Sequence, residues 1–310
     1  MSLPLAELHM HIEGSLEPGQ IFQFAERNGI RLPYADIDEL RGLYEFTDLQ
    51  SFLDLYYANT SVLRTAEDFA DLARAYFARA KVAGITHAEV FFDPQAHTGR
   101  GVALEAVVEG LADAAASSER EFGVTSGLIA SILRDKPVLH ANKLLEDLLA
   151  MKAPIIGLGL DSAEVGFPPS LFVDVFARAR AEGLHVVAHA GEEGPAEYIW
   201  QALDLLGAER IDHGVRCLED EALVNRLVEE EIPLTVCPFS NVRLKVVDTL
   251  ADHPIRQMIE RGLVVTVNSD DPAYFGGYVD DNFAALTDQV GLTEREREIL
   301  YDNSIRASFS

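Results

Sequence analysis

A chain of 310 residues with 51 acidic against 25 basic side chains carries a formal charge of −26. Such a surface repels phosphate backbones and anionic lipids, which argues against nucleic acid or a membrane as partner and for a free small molecule. No apolar run nears the ~20 residues that span a bilayer, no charged-then-apolar start suggests a signal peptide, and Cys217 and Cys237 make no disulfide framework, so a reducing cytoplasm is the expected setting.

Apolar, β-prone stretches alternate with helical patterns along the chain. The predicted strands are residues 6–11, 85–92, 125–133, 155–160, 185–190, 210–213, 233–237 and 263–268. Several are almost continuously hydrophobic, as parallel strands covered on both faces must be. Helical spacing is read over 66–83, with Gly84 as a stop, and over 171–181, 219–230 and 254–261. Strand–helix alternation over this length predicts a single (β/α)8, or TIM, barrel domain over residues 1–310, with a doubly wound open sheet as the alternative. Residues 16–83 are too many for one barrel helix. They are expected to hold extra helices, at 18–28 and 49–62, forming part of a lid at the C-terminal mouth of the barrel.

The chemistry-bearing residues collect at the C-terminal ends of these strands. Strand one ends Glu7-Leu8-His9-Met10-His11, and residues two apart on a strand share a face, so His9 and His11 can reach one metal ion. Strand five ends His189-Ala190-Gly191-Glu192, strand six runs into Asp212-His213-Gly214, and strand eight into Asn268-Ser269-Asp270-Asp271. Adjacent aspartates repel unless a cation or donor relieves them. With Asp270 as a ligand beside His9, His11 and His189, the set suits one Zn²⁺ with a position open for water. Glu192 is then placed to act as an acid, His213 to orient the water, and the second aspartate to contact substrate.

These stretches, with Cys237-Pro238-Phe239-Ser240-Asn241 and the closing Asn303-Ser304, resemble the adenosine/adenine deaminase branch of the amidohydrolase superfamily, in family order over most of the chain. The resemblance implies a zinc-bearing barrel that deaminates a 6-aminopurine, a purine salvage reaction. Glu192 would give a proton to N1, hydroxide would add at C6 with His213 and Asp270 handling its orientation and proton, and Asp271 would hydrogen-bond N7. Glu13 stands where adenosine deaminases have a shorter aspartate, which weakens a ribose contact.

After strand four the chain reads Asp161-Ser162-Ala163-Glu164-Val165-Gly166-Phe167-Pro168-Pro169, where adenosine deaminases usually have glycine in place of Glu164. The Ser-x-Glu segment with two prolines is similar to the adenine deaminase subgroup, as are Phe92-Asp93-Pro94-Gln95 and Ala273-Tyr274-Phe275-Gly276-Gly277-Tyr278. Asp161, Ser162 and Glu164 are therefore expected on the substrate, with Ser162 and Glu164 meeting N3 and N9–H of free adenine. Adenosine lacks N9–H, and a buried polar group left unpaired costs ~1–3 kcal/mol. Deamination of adenosine or of a modified aminopurine is the alternative. A zinc-containing barrel that binds purines without turnover is the reading from another class, and Glu192 with His213 counts against it. A metal-dependent amidase would show a bridging lysine at the end of strand four, where none falls. A homo-oligomer is compatible with all of this. His87, His140, His185 and His253 are expected in packing or surface roles, and Trp200 in packing. His97, Tyr56, Tyr57, Phe46 and Phe52 are open between core and cavity.

Overall fold

The computed structural model describes residues 4–309. Eight parallel strands follow one another around a barrel in sequence order: β1 (Leu5–His11), β2 (Ile85–Phe92), β3 (Thr125–Leu133), β4 (Gly157–Asp161), β5 (His185–Ala190), β6 (Arg210–His213), β7 (Pro233–Val236) and β8 (Val264–Val267). All seven β1 residues are buried, as are the last seven of β3, because helices cover the outside while side chains from facing strands fill the axis. Closure between β8 and β1 runs through the Met10–Asp270 bridge, in which His11 N–H donates to Asp270 O at 3.0 Å and Asp270 N–H to His9 O at 3.1 Å. Leu8 N–H adds a bond to Asn268 Oδ1 at 2.9 Å. The seam of the barrel is thus stitched at the residues that carry the site.

Four strands span the expected residues. Elsewhere the ends differ: β7 stops at Val236 because Cys237 opens a short helix, Pro238–Arg243. The helix expected to begin at residue 219 begins at Glu221, where the Asp220 side chain caps the N–H groups of Ala222 and Leu223.

The segment after β1 folds as α1 (Pro18–Arg27), α2 (Ile37–Arg41), α3 (Leu49–Asn59) and α4 (Ala66–Ala83). Thr65 starts α4 with a reciprocal cap to Asp68, and α4 packs against β2 and the helix Leu104–Phe122 as a barrel helix. The other three are additional. Helix α3 lies over the mouth, where Phe52 meets Phe275 with centroids 4.7 Å apart and Tyr44 stacks on Tyr274 at 4.8 Å. That aromatic cluster fastens α3 to the loop after β8. At the opposite end of the axis, fully buried Arg210 donates to Glu89 Oε2 at 2.6 Å and to Leu8 O at 3.2 Å, with the Phe309 ring 4.5 Å away.

Candidate metal centre and active site

The structure brings His9, His11, His189 and Asp270 to one point, with their ligand atoms all within 4.8 Å of one another. His11 Nε2 lies 3.1 Å from His189 Nε2, and Asp270 Oδ1 lies 3.5 Å from His9 Nε2 and 3.6 Å from His11 Nε2. Donors at tetrahedral zinc bond lengths stand about 3.3 Å apart, so this spacing fits the ion. His9 Nε2 is buried with no partner. Behind the rings, His9 Nδ1 faces Thr235 Oγ1 at 2.9 Å, and Thr235 Oγ1 donates to Asp212 Oδ1 at 2.8 Å. Asp212 Oδ2 stands 3.5 Å from His189 Nδ1, and Asp161 Oδ2 3.6 Å from His11 Nδ1. Carboxylates and hydroxyls behind the rings orient them so that Nε2 points inward. Burial disfavours charge on His9, yet Asp270 and Asp212 outweigh it and raise its pKa; the centre attracts a cation. A second grouping, in which His213 and Cys237 replace His11 and His189, shares His9 and Asp270 with the first.

Glu192 and His213 stand beside this cluster. His213 Nε2 is 3.5 Å from Glu192 Oε2 and 3.8 Å from Asp270 Oδ2. Burial, then the charges of Asp270 and Glu164, push the Glu192 pKa well up, which favours its protonated form. Burial lowers His213 to about 3 and keeps it neutral. Burial also opposes charge on Asp270, but His9, His213 and His11 hold it well below the usual carboxylate range. His213 and Asp270 both take left-handed backbone conformations, φ 65° and 63°. Non-glycine residues rarely adopt these, and their occurrence at two strand ends marks a turn retained for the side-chain placement it gives.

A cavity opens above these groups. Leu49, Phe52, Leu53, Tyr56 and Tyr57 of α3 roof it. Asp271 forms part of its wall. Burial and the neighbouring Asp270 charge raise its pKa well up, which favours the protonated, donating form. Gly14 makes room for it, since a Cβ there would lie 2.0 Å from Asp271 Oδ1. Asp161 and Ser162 line the cavity, and Tyr57 O–H donates to Ser162 Oγ at 3.1 Å. Glu164 does not line it. The expectation that Glu164 meets the substrate is corrected: its carboxylate turns away and accepts from the N–H groups of Gly191, Glu192, Glu193 and Gly194.

One wall residue was given no role from the sequence. Asp93, at the end of β2, has a buried Oδ1 without a partner, and both Asp161 oxygens are likewise unpartnered. Burial and the charge of Glu13 push Asp93 up to about 8, and burial and Asp93 raise Asp161 well above its ordinary value. Its place at a strand end, in the layer of the other acids, was the available signal. His97 proves a core residue, with Nε2 2.7 Å from Glu13 Oε1, which also accepts from Asp93 N–H at 3.1 Å. His87, His185 and His253 bond to Thr125, Glu209 and Asn241 away from the cavity, His140 is exposed, and Trp200 Nε1–H donates to Asp220.

The adenosine deaminase family profile matches residues 4–310. The chain belongs to this family. A relative in Streptomyces coelicolor, named adenine deaminase, is 59% identical over 310 residues, covering all of this chain and 91% of its own. The crystal structure of an adenine deaminase from Arthrobacter aurescens matches with a TM-score of 0.99 at 61% identity, over 100% of this chain and 94% of its own. An amidohydrolase from Burkholderia ambifaria with bound zinc matches at a TM-score of 0.91 and 28% identity, over 99% and 86% of the two chains. Among the described residues, no helix is long and apolar enough to cross a membrane.

Proposed function

We propose that this protein hydrolyses adenine to hypoxanthine and ammonia, using one zinc ion held by His9, His11, His189 and Asp270, with α3 as the lid. The carrying observation is the placing of three acids in one cavity wall, Asp270 against the imidazole cluster with Glu192 and Asp271 beside it, where burial and the Asp270 charge favour the protonated forms of the latter two. In a 6-aminopurine the reacting carbon C6 lies between two acceptors, N1 and N7. Two acid groups supply the donors those acceptors need, and relatives at 59 and 61% identity named adenine deaminase support the same substrate.

Bound in this cluster, zinc would lower the pKa of its water from 15.7 toward ~7 and supply hydroxide at neutral pH. The chain's own groups then carry the protons. Glu192 gives its proton to N1 as oxygen adds at C6, making that carbon more electrophilic. Neutral His213 and ionised Asp270 hold the attacking oxygen and take its proton, which is passed to N6. The C6–N6 bond breaks, ammonia leaves, and the remaining hydroxyl proton returns to Glu192, leaving the C6 carbonyl and N1–H of hypoxanthine. Asp271 donates to N7 throughout. Asp161, Ser162 and Asp93 meet the N3/N9–H edge. The unpartnered oxygens of Asp161 and Asp93 offer acceptors for N9–H, a hydrogen that adenosine lacks.

The test is steady-state deamination of adenine and adenosine side by side, on protein of measured zinc content. Adenine favoured by orders of magnitude in kcat/KM is the expected result. Preference for adenosine would overturn the free-base reading, and zinc-loaded protein inert toward both would overturn the substrate class.

A further inference from the structure

We infer that Glu164 is a positioning residue that fixes the backbone carrying the acid Glu192 and the ligand His189. This rests on the roles proposed above for those two side chains. Glu164 is 1% exposed. Its Oε1 accepts from Gly191 N–H at 2.7 Å, and its Oε2 from Glu192 at 3.1 Å, Glu193 at 2.8 Å and Gly194 at 2.7 Å. Consecutive N–H groups converging on one anion form a nest. Here the anion is a side chain from the neighbouring strand-end loop, and its acceptor capacity is spent on the backbone.

Gly194 reports how close this approach is. A Cβ there would lie 2.5 Å from Glu164 Oε1 and 2.6 Å from its Cδ, so a side chain at 194 would displace the carboxylate. Arg134 completes the brace from below, donating to His189 O at 2.7 Å and to Phe167 O at 2.8 Å. Phe167 N–H in turn donates to Glu164 O at 3.2 Å. The loop after β4 and the segment from His189 to Gly194 are thereby locked together at both ends. The same segment holds the roof, because Glu193 Oε1 accepts from Leu49 N–H, the first residue of α3, at 3.0 Å.

Glu192 depends on this brace because its side chain has few polar contacts of its own. Its Oε1 has no hydrogen-bond partner, His213 Nε2 stands 3.5 Å from its Oε2, and Ser240 is the other polar side chain against it. Placement of its proton is inherited from the backbone. A reacting group misplaced by about 1 Å costs ~10²-fold in rate. A carboxylate suits the brace because an amide of the same shape would turn an NH2 group toward N–H donors, whereas aspartate keeps both acceptors one methylene shorter.

The experiment compares wild type with Glu164→Gln and Glu164→Asp. It measures kcat per bound zinc, KM for adenine, and hydrogen exchange in a peptide spanning 190–195. For Glu164→Gln, kcat should fall ~10²-fold while KM changes by less than about threefold. The 190–195 amides should exchange faster while the barrel strands do not. Aspartate should restore part of both the rate and the protection. Raised KM with kcat retained and unchanged exchange would make Glu164 a substrate contact and overturn the inference. So would unchanged kcat per zinc in a merely less stable protein. If the glutamine variant does not fold, the aspartate variant alone must show intermediate kcat and exchange, and wild-type values in it would equally overturn the inference. If wild type does not deaminate adenine, the proposed function fails while the exchange result still decides whether Glu164 holds this segment.

Discussion

Replacing Glu192 by glutamine removes one proton and almost nothing else. The side chain is 4% exposed, keeps its shape, and leaves the zinc-ligand set intact. Its pKa is held up by burial and by the charges of Asp270 and Glu164. The acid form is therefore favoured, and the amide replaces that uncharged group by another uncharged group. Binding should survive. What is lost is proton donation to N1, a contribution of ~10²–10⁴-fold for a positioned acid, equivalent to about 2.7–5.4 kcal/mol in the barrier. The assay is steady-state adenine deamination from pH 5 to 10 on protein of matched zinc content. The variant should lose kcat by that factor with KM within about threefold. In wild type the rate should fall as pH rises through the raised Glu192 pKa, and that limb should vanish in the variant. A glutamine variant that keeps a third or more of wild-type kcat would refute the assignment, and with it the distinction between an enzyme and a barrel that only binds purines.

Other outcomes are expected. Glu13 and Asp93 have folded pKa values of about 7 and about 8, above their ordinary 4.5 and 3.8. Folding thus favours their protonated forms, and their stabilising effect, complete below about pH 4, is lost as pH rises toward 8. Urea midpoints should fall across that window, and Asp93→Asn should flatten the fall while raising KM for adenine. Cutting Glu89 to alanine removes the close carboxylate partner of Arg210 in the barrel core, leaving it Asp212 at 3.9 Å and two backbone carbonyls; breaking a buried pair costs ~3–5 kcal/mol, and urea unfolding should show a loss toward the lower end of this range. Removing the metal with a chelator should abolish deamination and lower the melting temperature, since the ion binds only the folded ligand set, and added zinc should restore both.

The fold was legible because its signals are periodic and repeated. Residues 85–92, 125–133 and 185–190 are largely apolar runs of strand length, and they form strands over those residues, as does the polar stretch 210–213. The metal cluster was legible for a related reason: on an extended strand two-residue spacing dictates a shared face, so His9 and His11 could be placed together without coordinates. Loops offer no such rule. Ser162 turns the chain at φ 71° just after β4, and two residues later Glu164 points at the next loop rather than into the cavity. A residue count from the strand end cannot foresee that reversal. Asp93 was missed for the opposite reason: one aspartate before a proline is ordinary sequence, and only its burial beside Asp161 and Glu13 makes it unusual.

The same residue type does four jobs here, and the neighbours decide which. Asp270 sits among imidazoles that hold it ionised, which suits a ligand and a proton acceptor. Glu192 and Asp271 are buried beside that group, which favours their protonated forms and suits donors. Asp93 and Asp161 crowd each other with unpartnered oxygens, a cost that persists unless a ligand supplies a hydrogen-bond partner. Glu164 meets none of these conditions, because four backbone N–H groups already satisfy it. Its chemistry is therefore spent on geometry. A survey of acids at the strand ends would rank all of them alike as catalytic. The partners of each oxygen separate them, and the separation predicts that Glu164→Gln acts on kcat through placement, whereas Asp93→Asn acts on KM through the substrate edge it faces.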